Sequence, residues 1–271
     1  MNIIKNLSHT KYEAKPSFNK VPEITLFFWI IKILTTGMGE VTSDYFAKSF
    51  DPVIVVAITG LCLLVALAVQ LSVRRYVAWI YWLNVIMVSI FGTMAADVLH
   101  VAFGISYLVS TTFFVIVLII IFVTWYASEK TLSIHSIFTR RRELFYWATV
   151  LATFALGTAA GDMTATTMDL GYFFSGVMFA LVFAIPAIGY WKFGLNEIFA
   201  FWFAYIVTRP LGASFADWMG VPTSRSGLGI GTGTVSLVLT VIIFCLVGYM
   251  TLTRKDIKEI EDIESKTVSD F

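Results

Sequence analysis

WIIKILTTGMGEVTSD at residues 29–44, WLNVIMVSIFGTMAAD at 82–97, WATVLATFALGTAAGD at 147–162 and WFAYIVTRPLGASFAD at 202–217 share one frame. Each opens on Trp, has Gly ten residues on and ends on Asp five residues later, so Trp29/Gly39/Asp44, Trp82/Gly92/Asp97, Trp147/Gly157/Asp162 and Trp202/Gly212/Asp217 are equivalent. In this composition a Trp finds both partners at those offsets by chance about once in five hundred, so four matches define a tandem repeat. In a helix the Trp-to-Asp offset is about 22 Å, most of the hydrocarbon thickness of a bilayer. Each Trp therefore marks one end of a span and each Asp the other.

The rest of the chain agrees. Of its 271 residues 58% are hydrophobic and 14% charged, and the mean hydropathy is +0.82, too little polar surface for a water-soluble globule. Apolar runs broken by charges or Gly/Pro predict spans near 24–46, 53–72, 77–101, 105–126, 143–165, 172–190, 197–219 and 228–252. The expected fold is an all-α integral membrane protein of eight transmembrane helices, built as four parallel two-helix repeats about a pseudo-symmetry axis along the membrane normal. The repeats run over about 23–73, 76–127, 142–191 and 196–253, between an N-terminal segment at 1–22 and a tail at 254–271. The leading stretch has no apolar core like that of a signal peptide, so the first span is expected to stay in the chain.

Fifteen basic residues fall on the Trp side of these spans and two, Lys48 and Arg225, on the Asp side, which puts both termini in the cytoplasm by the positive-inside rule. A net charge of +1 implies no nucleic-acid partner. Cys62 and Cys245 sit in apolar spans as small buried hydrophobes. The Trp quartet reads as interfacial anchors, with packing between repeats as the alternative.

On the W-x9-G-x4-D repeat, from about Val21 to Thr253, the chain resembles a family of uncharacterised bacterial membrane-anchored proteins made of four tandem repeats, each with two transmembrane segments and a characteristic Trp. That resemblance implies the architecture and a bacterial inner-membrane setting. It implies no activity.

A carboxylate within a membrane costs about 2.5–3.5 kcal/mol even on a lenient scale, so Asp44, Asp97, Asp162 and Asp217 need compensation. Glu40 lies one turn before Asp44 on the same face, where the other repeats have Thr93, Thr158 and Ala213. Glu40 and the four Asp form a hard-oxygen set suited to protons or to Mg, Ca or Mn ions, and His100 adds an imidazole three residues after Asp97. Lys32 and Arg209 lie too deep to reach either interface and are expected to pair with the acids. Pro210 frees a backbone carbonyl, with a kink and a cavity wall as the expected result. The glycines at 227, 229, 231 and 233 lack a P-loop's Lys-Ser/Thr and read as a close-packed helix start.

No nucleophile with its base, catalytic metal triad or cofactor motif occurs, so neither an enzyme nor a cofactor is expected. Three roles fit the acids: the site of a small-cation transporter, Mn-like metals favoured and proton-coupled; the filter of a cation channel on the pseudo-symmetry axis; or structural staples that join each helix pair in a non-transporting membrane protein.

Overall fold

A computed structural model describes residues 19–101 and 103–254. Six of the basic residues behind the charge asymmetry, Lys5, Lys11, Lys15, Lys255, Lys258 and Lys266, lie outside these described residues. Eight long helices follow in order among them: α1 (Leu26–Ser49), α2 (Pro52–Ser72), α3 (Ala78–Val101), α4 (Tyr107–Glu129), α5 (Arg140–Asp162), α6 (Gly171–Phe193), α7 (Glu197–Gly220) and α8 (Thr232–Thr253).

Local chemistry fixes several of their ends. The side chains of Thr25, Asp51, Thr139 and Asn196 each accept a hydrogen bond from the first-turn backbone of α1, α2, α5 and α7. Pro52 opens α2, and Gly194, in the left-handed region at φ 65°, closes α6. Pro210 does not interrupt α7; it is buried and packs towards Gly157 of α5. The glycine run begins as a return loop, in which Leu228, Gly229, Ile230 and Gly231 donate their N–H groups to carbonyls of Trp218 to Val221 at the end of α7, and only its end is the expected close-packed helix start: Gly231 caps α8, and a Cβ on Gly233 in the first turn would come within 2.9 Å of the Tyr45 ring.

Seven of the eight helices are long and apolar enough to cross a membrane. The exception is α1, which carries Lys32, Glu40, Asp44 and Lys48 yet packs beside α3 and α7, with Lys32 and Glu40 turned inward. The outer helices expose apolar side chains such as Leu64, Ile119, Leu181 and Val241, the surface a lipid solvent requires.

The odd helices form a closed inner ring in the order α1, α3, α5, α7 and back to α1. The even helices lie outside it, each packed chiefly on the odd helix of the following repeat: α2 on α3, α4 on α5, α6 on α7, and α8 on α1. Mates within a repeat touch far less. Each repeat is therefore packed chiefly against its neighbours, and not between its own two helices.

The motif glycines explain how the ring closes. A Cβ on Gly39 would collide with Ser89, on Gly92 with Phe154, on Gly157 with Arg209, and on Gly212 with Thr36. In every repeat the glycine thus receives the residue seven positions past the Trp of the next repeat, and the fourth receives that of the first. Removing the side chain at each crossing lets two helices approach backbone to backbone, the device that packs helices where lipid removes a hydrophobic drive.

Gly212→Ala would bring a methyl to 2.6 Å from the carbonyl oxygen of Ile33, a backbone atom that cannot swing aside. We expect this variant to lose about 1–3 kcal/mol of stability through overpacking. Gly248→Ala, whose nearest neighbour would be Trp79 at 3.7 Å, should melt at or slightly above the parent temperature. Thermal unfolding of both variants in detergent, followed by Trp fluorescence, checks the pair.

Candidate functional site: an acid-lined cavity above a buried arginine

Counted from each motif Trp, positions −1, +3, +7, +11 and +15 recur in steps of four and form one stripe along each odd helix. The stripes face inward, so the bundle axis is a stack of five four-residue layers. The −1 layer is aromatic throughout: Phe28, Tyr81, Tyr146 and Phe201. Each packs on the Trp of the next repeat, Phe28 on Trp82 at 5.8 Å, Tyr81 on Trp147 at 5.5 Å, Tyr146 on Trp202 at 6.1 Å and Phe201 on Trp29 at 5.8 Å between ring centroids. The hydroxyls of Tyr81 and Tyr146 meet at 2.5 Å. Trp82, Trp147 and Trp202 are buried, so the quartet is inter-repeat packing and not an interfacial anchor.

The N-terminal segment crosses over this aromatic end. Lys20 pairs with Glu143 of α5 at 2.5 Å while Gln70 of α2 donates to the other carboxylate oxygen at 3.0 Å. That end of the axis is sealed twice, by rings and by a strap.

The next layer holds Lys32, Val85, Val150 and Tyr205, all fully buried. Lys32 does not pair with an acid as expected. Its Nζ lies 3.9 Å from the centre of the Phe154 ring and 4.1 Å from that of Tyr205, and it makes no hydrogen bond. Aromatic faces meet the cation in place of a carboxylate.

Arg209 fills the +7 layer, beside Thr36, Ser89 and Phe154. Its Nη1 donates to the Thr36 carbonyl at 2.8 Å, and its Nη2 donates to Glu40 at 2.5 Å, to Thr158 Oγ1 at 2.7 Å and to Thr93 Oγ1. Glu40, Thr93 and Thr158 are the +11 residues of the first three repeats, and the fourth, Ala213, leaves room for the guanidinium. One cation from the last repeat is thereby bonded by all three others. The expected pairing of Arg209 with an acid is present, and its partner is Glu40.

Above this plug the +15 layer opens. Asp44, Asp97, Asp162 and Asp217, with Glu40 at the floor, line a cavity of about 380 Å³. Asp44 is paired with Lys48, and Asp97 accepts only a 3.4 Å hydrogen bond from Ser43. Among the described residues the carboxylates of Asp162 and Asp217 have no hydrogen-bond or ion-pair partner. At the rim Arg225 donates to the Tyr172 hydroxyl at 2.6 Å. Among the described residues no three His, Cys, Asp or Glu side chains are gathered as a ready set of metal ligands, although all five acids proposed as ligands line the one space.

His100 is turned elsewhere. Its Nδ1 lies 2.7 Å from the Ile105 carbonyl and its Nε2 lies 3.1 Å from Ser110 Oγ, so it closes the turn from α3 to α4 and does not line the cavity. What sequence reasoning missed is the aromatic residue before every Trp and the convergence of the +11 residues on Arg209. The recurring Phe/Tyr-Trp pair was a readable signal, and the step of four would have exposed the second.

Fold and site together define a multi-pass membrane protein of four interlocked repeats, with a polar axis that is plugged at one end and acid-lined at the other. The sequence profile of a family described as Repeat of Unknown Function (DUF347) matches residues 27–76, 80–131, 145–194 and 200–256, and the chain belongs to that family. Comparison with curated proteins and with solved structures finds no match.

Glu40→Gln strands the buried guanidinium, and breaking such a pair on one side costs about 3–5 kcal/mol. Replacing both partners with apolar residues, Glu40→Leu with Arg209→Met, should recover most of that loss. A double-mutant cycle on thermal stability checks the coupling, and two additive single losses would show that none exists.

Proposed function

We propose that this protein is a transporter of small cations, driven by exchange with protons, and that the carboxylates of the odd helices are its site. The observation that supports this reading is the placement of five acids from two-helix units far apart in sequence around one cavity that reaches down to Glu40, the partner of Arg209. Lys48 is paired with Asp44 and Arg225 with Tyr172, so among the described residues no cation lies within ion-pair distance of Asp97, Asp162 or Asp217. An unpaired carboxylate in this setting is expensive unless a ligand shares the charge. A staple role is less well supported, since these three acids hold no helix to another through an ion pair.

Access from one side only is the arrangement an alternating-access carrier adopts in one of its states, with rocking between repeats exchanging the open end. A permanent pore along the axis is poorly supported, because three packed layers and the aromatic ring fill it below the Asp residues. The charge asymmetry of the loops assigns the plugged end to the cytoplasm and the cavity to the outside of a bacterial inner membrane. Glu40 is the natural coupling point. A proton on its carboxylate would loosen its hold on Arg209, the contact that joins α7 to α1, and so link titration to the movement of one repeat against another. Carboxylate oxygens suit Mn and other hard divalent ions, for which the acids would have to draw closer than they stand.

Asp217→Asn removes a carboxylate that bonds to nothing, so stability should be retained while cation movement falls about ten-fold or more. Proteoliposomes carrying a pH gradient and an internal pH dye, offered Mn²⁺, Mg²⁺, Na⁺, K⁺ and 1,4-diaminobutane in turn, provide the test. If no cation in the panel dissipates the gradient through the parent protein, or if the variant is as active as the parent, the reading is wrong.

A further inference from the structure

We infer that the cavity is built for an organic cation bearing more than one ammonium group, and not for a bare metal ion; the inference rests on the transport reading above. Size is the first ground. A volume of about 380 Å³ falls in the range of small-molecule sites, which is about 300–1,000 Å³, whereas a dehydrated ion held by three or more oxygens fills only the space between its ligands.

The distribution of charge is the second. The four Asp come from four different helices around the ring and are not drawn into a set that could share one ion. Separate carboxylates facing a common space match separate ammonium groups, each of which needs only one or two acceptors. Asp217 is the anchor. It is 6% exposed and lines the cavity, and among the described residues its carboxylate has no hydrogen-bond or ion-pair partner, so its acceptors are left to whatever enters that space. An ammonium group is a charge-assisted donor that matches such an open carboxylate.

The walls are the third ground. Between the acids the cavity is faced by Val55 and Val56 of α2, Met94 and Val98 of α3, and the rings of Tyr107 and Tyr172. An aliphatic chain between two ammonium groups fits such a surface, while a hydrated metal ion gains nothing from it. Arg209, bonded to Glu40 from beneath the lining, repels a second cation and so sets the depth to which one end of the ligand can reach.

Purified protein in proteoliposomes with an outward proton gradient, presented with labelled 1,4-diaminobutane or with ⁵⁴Mn²⁺, decides the matter. The expected result is saturable diamine uptake, inhibited by longer polyamines and weakly or not at all by Mn²⁺, with Asp217→Asn lowering diamine affinity about ten-fold or more. Uptake of Mn²⁺ that the diamine does not compete would overturn this inference and leave the transport reading standing. Movement of neither probe, nor of any other cation in the panel, would bring down both. To separate a lost site from a damaged fold, the thermal shift of the parent and of Asp217→Asn with each probe is read in parallel; stabilisation of the parent by Mn²⁺ alone also counts against the diamine.

Discussion

A guanidinium at the centre of a lipid-embedded bundle is tolerable only if every helix around it contributes an acceptor, and the arrangement of this protein follows from that requirement. Arg209 draws a carboxylate, two hydroxyls and a backbone carbonyl from α1, α3 and α5 onto the axis. The glycines make those approaches possible by removing bulk where the next helix crosses. Beneath, the aromatic residues hand each ring to the Trp of the following repeat, so the plugged end is closed by packed rings. Above, the same stripe ends in acids that the arginine cannot reach, and a cavity is the result.

Symmetry and its loss divide the labour. Trp, Gly and Asp are present in all four repeats and shape the ring, while Lys32, Glu40 and Arg209 occur once each and make its interior chemically unequal. A strictly fourfold axis would present four identical groups to its centre, and like charges there would repel. Replacing the fourth-repeat +7 residue with Arg and the first-repeat +11 residue with Glu, while leaving Ala213 small, converts a symmetric packing problem into one satisfied ion pair. A buried pair of this kind adds little net stability over an apolar core, and its best attested use is to fix one arrangement against alternatives.

Much of this was legible in the sequence, because a strict spacing repeated four times forces the same face of each odd helix inward. The spans, their parallel sense and the common depth of the four Asp follow from spacing alone. Less accessible was anything that depends on which repeat touches which. Short connections normally set hairpin mates side by side, yet every outer helix here packs on its neighbour's inner one. The Trp residues were misjudged for a related reason: a ring of Trp near a membrane boundary and a ring of Trp locked into adjacent aromatics look alike until the preceding Phe or Tyr is considered. His100 carried an apt side chain at an apt offset, but the turn it closes was invisible to spacing. Lys32 illustrates a further limit, since nothing in a linear pattern says that two rings and not a carboxylate will receive it.

The offset packing makes the first helix the last to be completed. While the chain emerges from the ribosome, α1 carries Glu40 into the bilayer 169 residues before Arg209 exists to meet it, and its outer cover, α8, is the final helix made. Until then the first helix has neither its counter-ion nor its shield. Biogenesis therefore holds an open arc of three repeats that only the fourth can lock into a circle, and a chain shortened from its C-terminal end by a single repeat forfeits the closure of all the others.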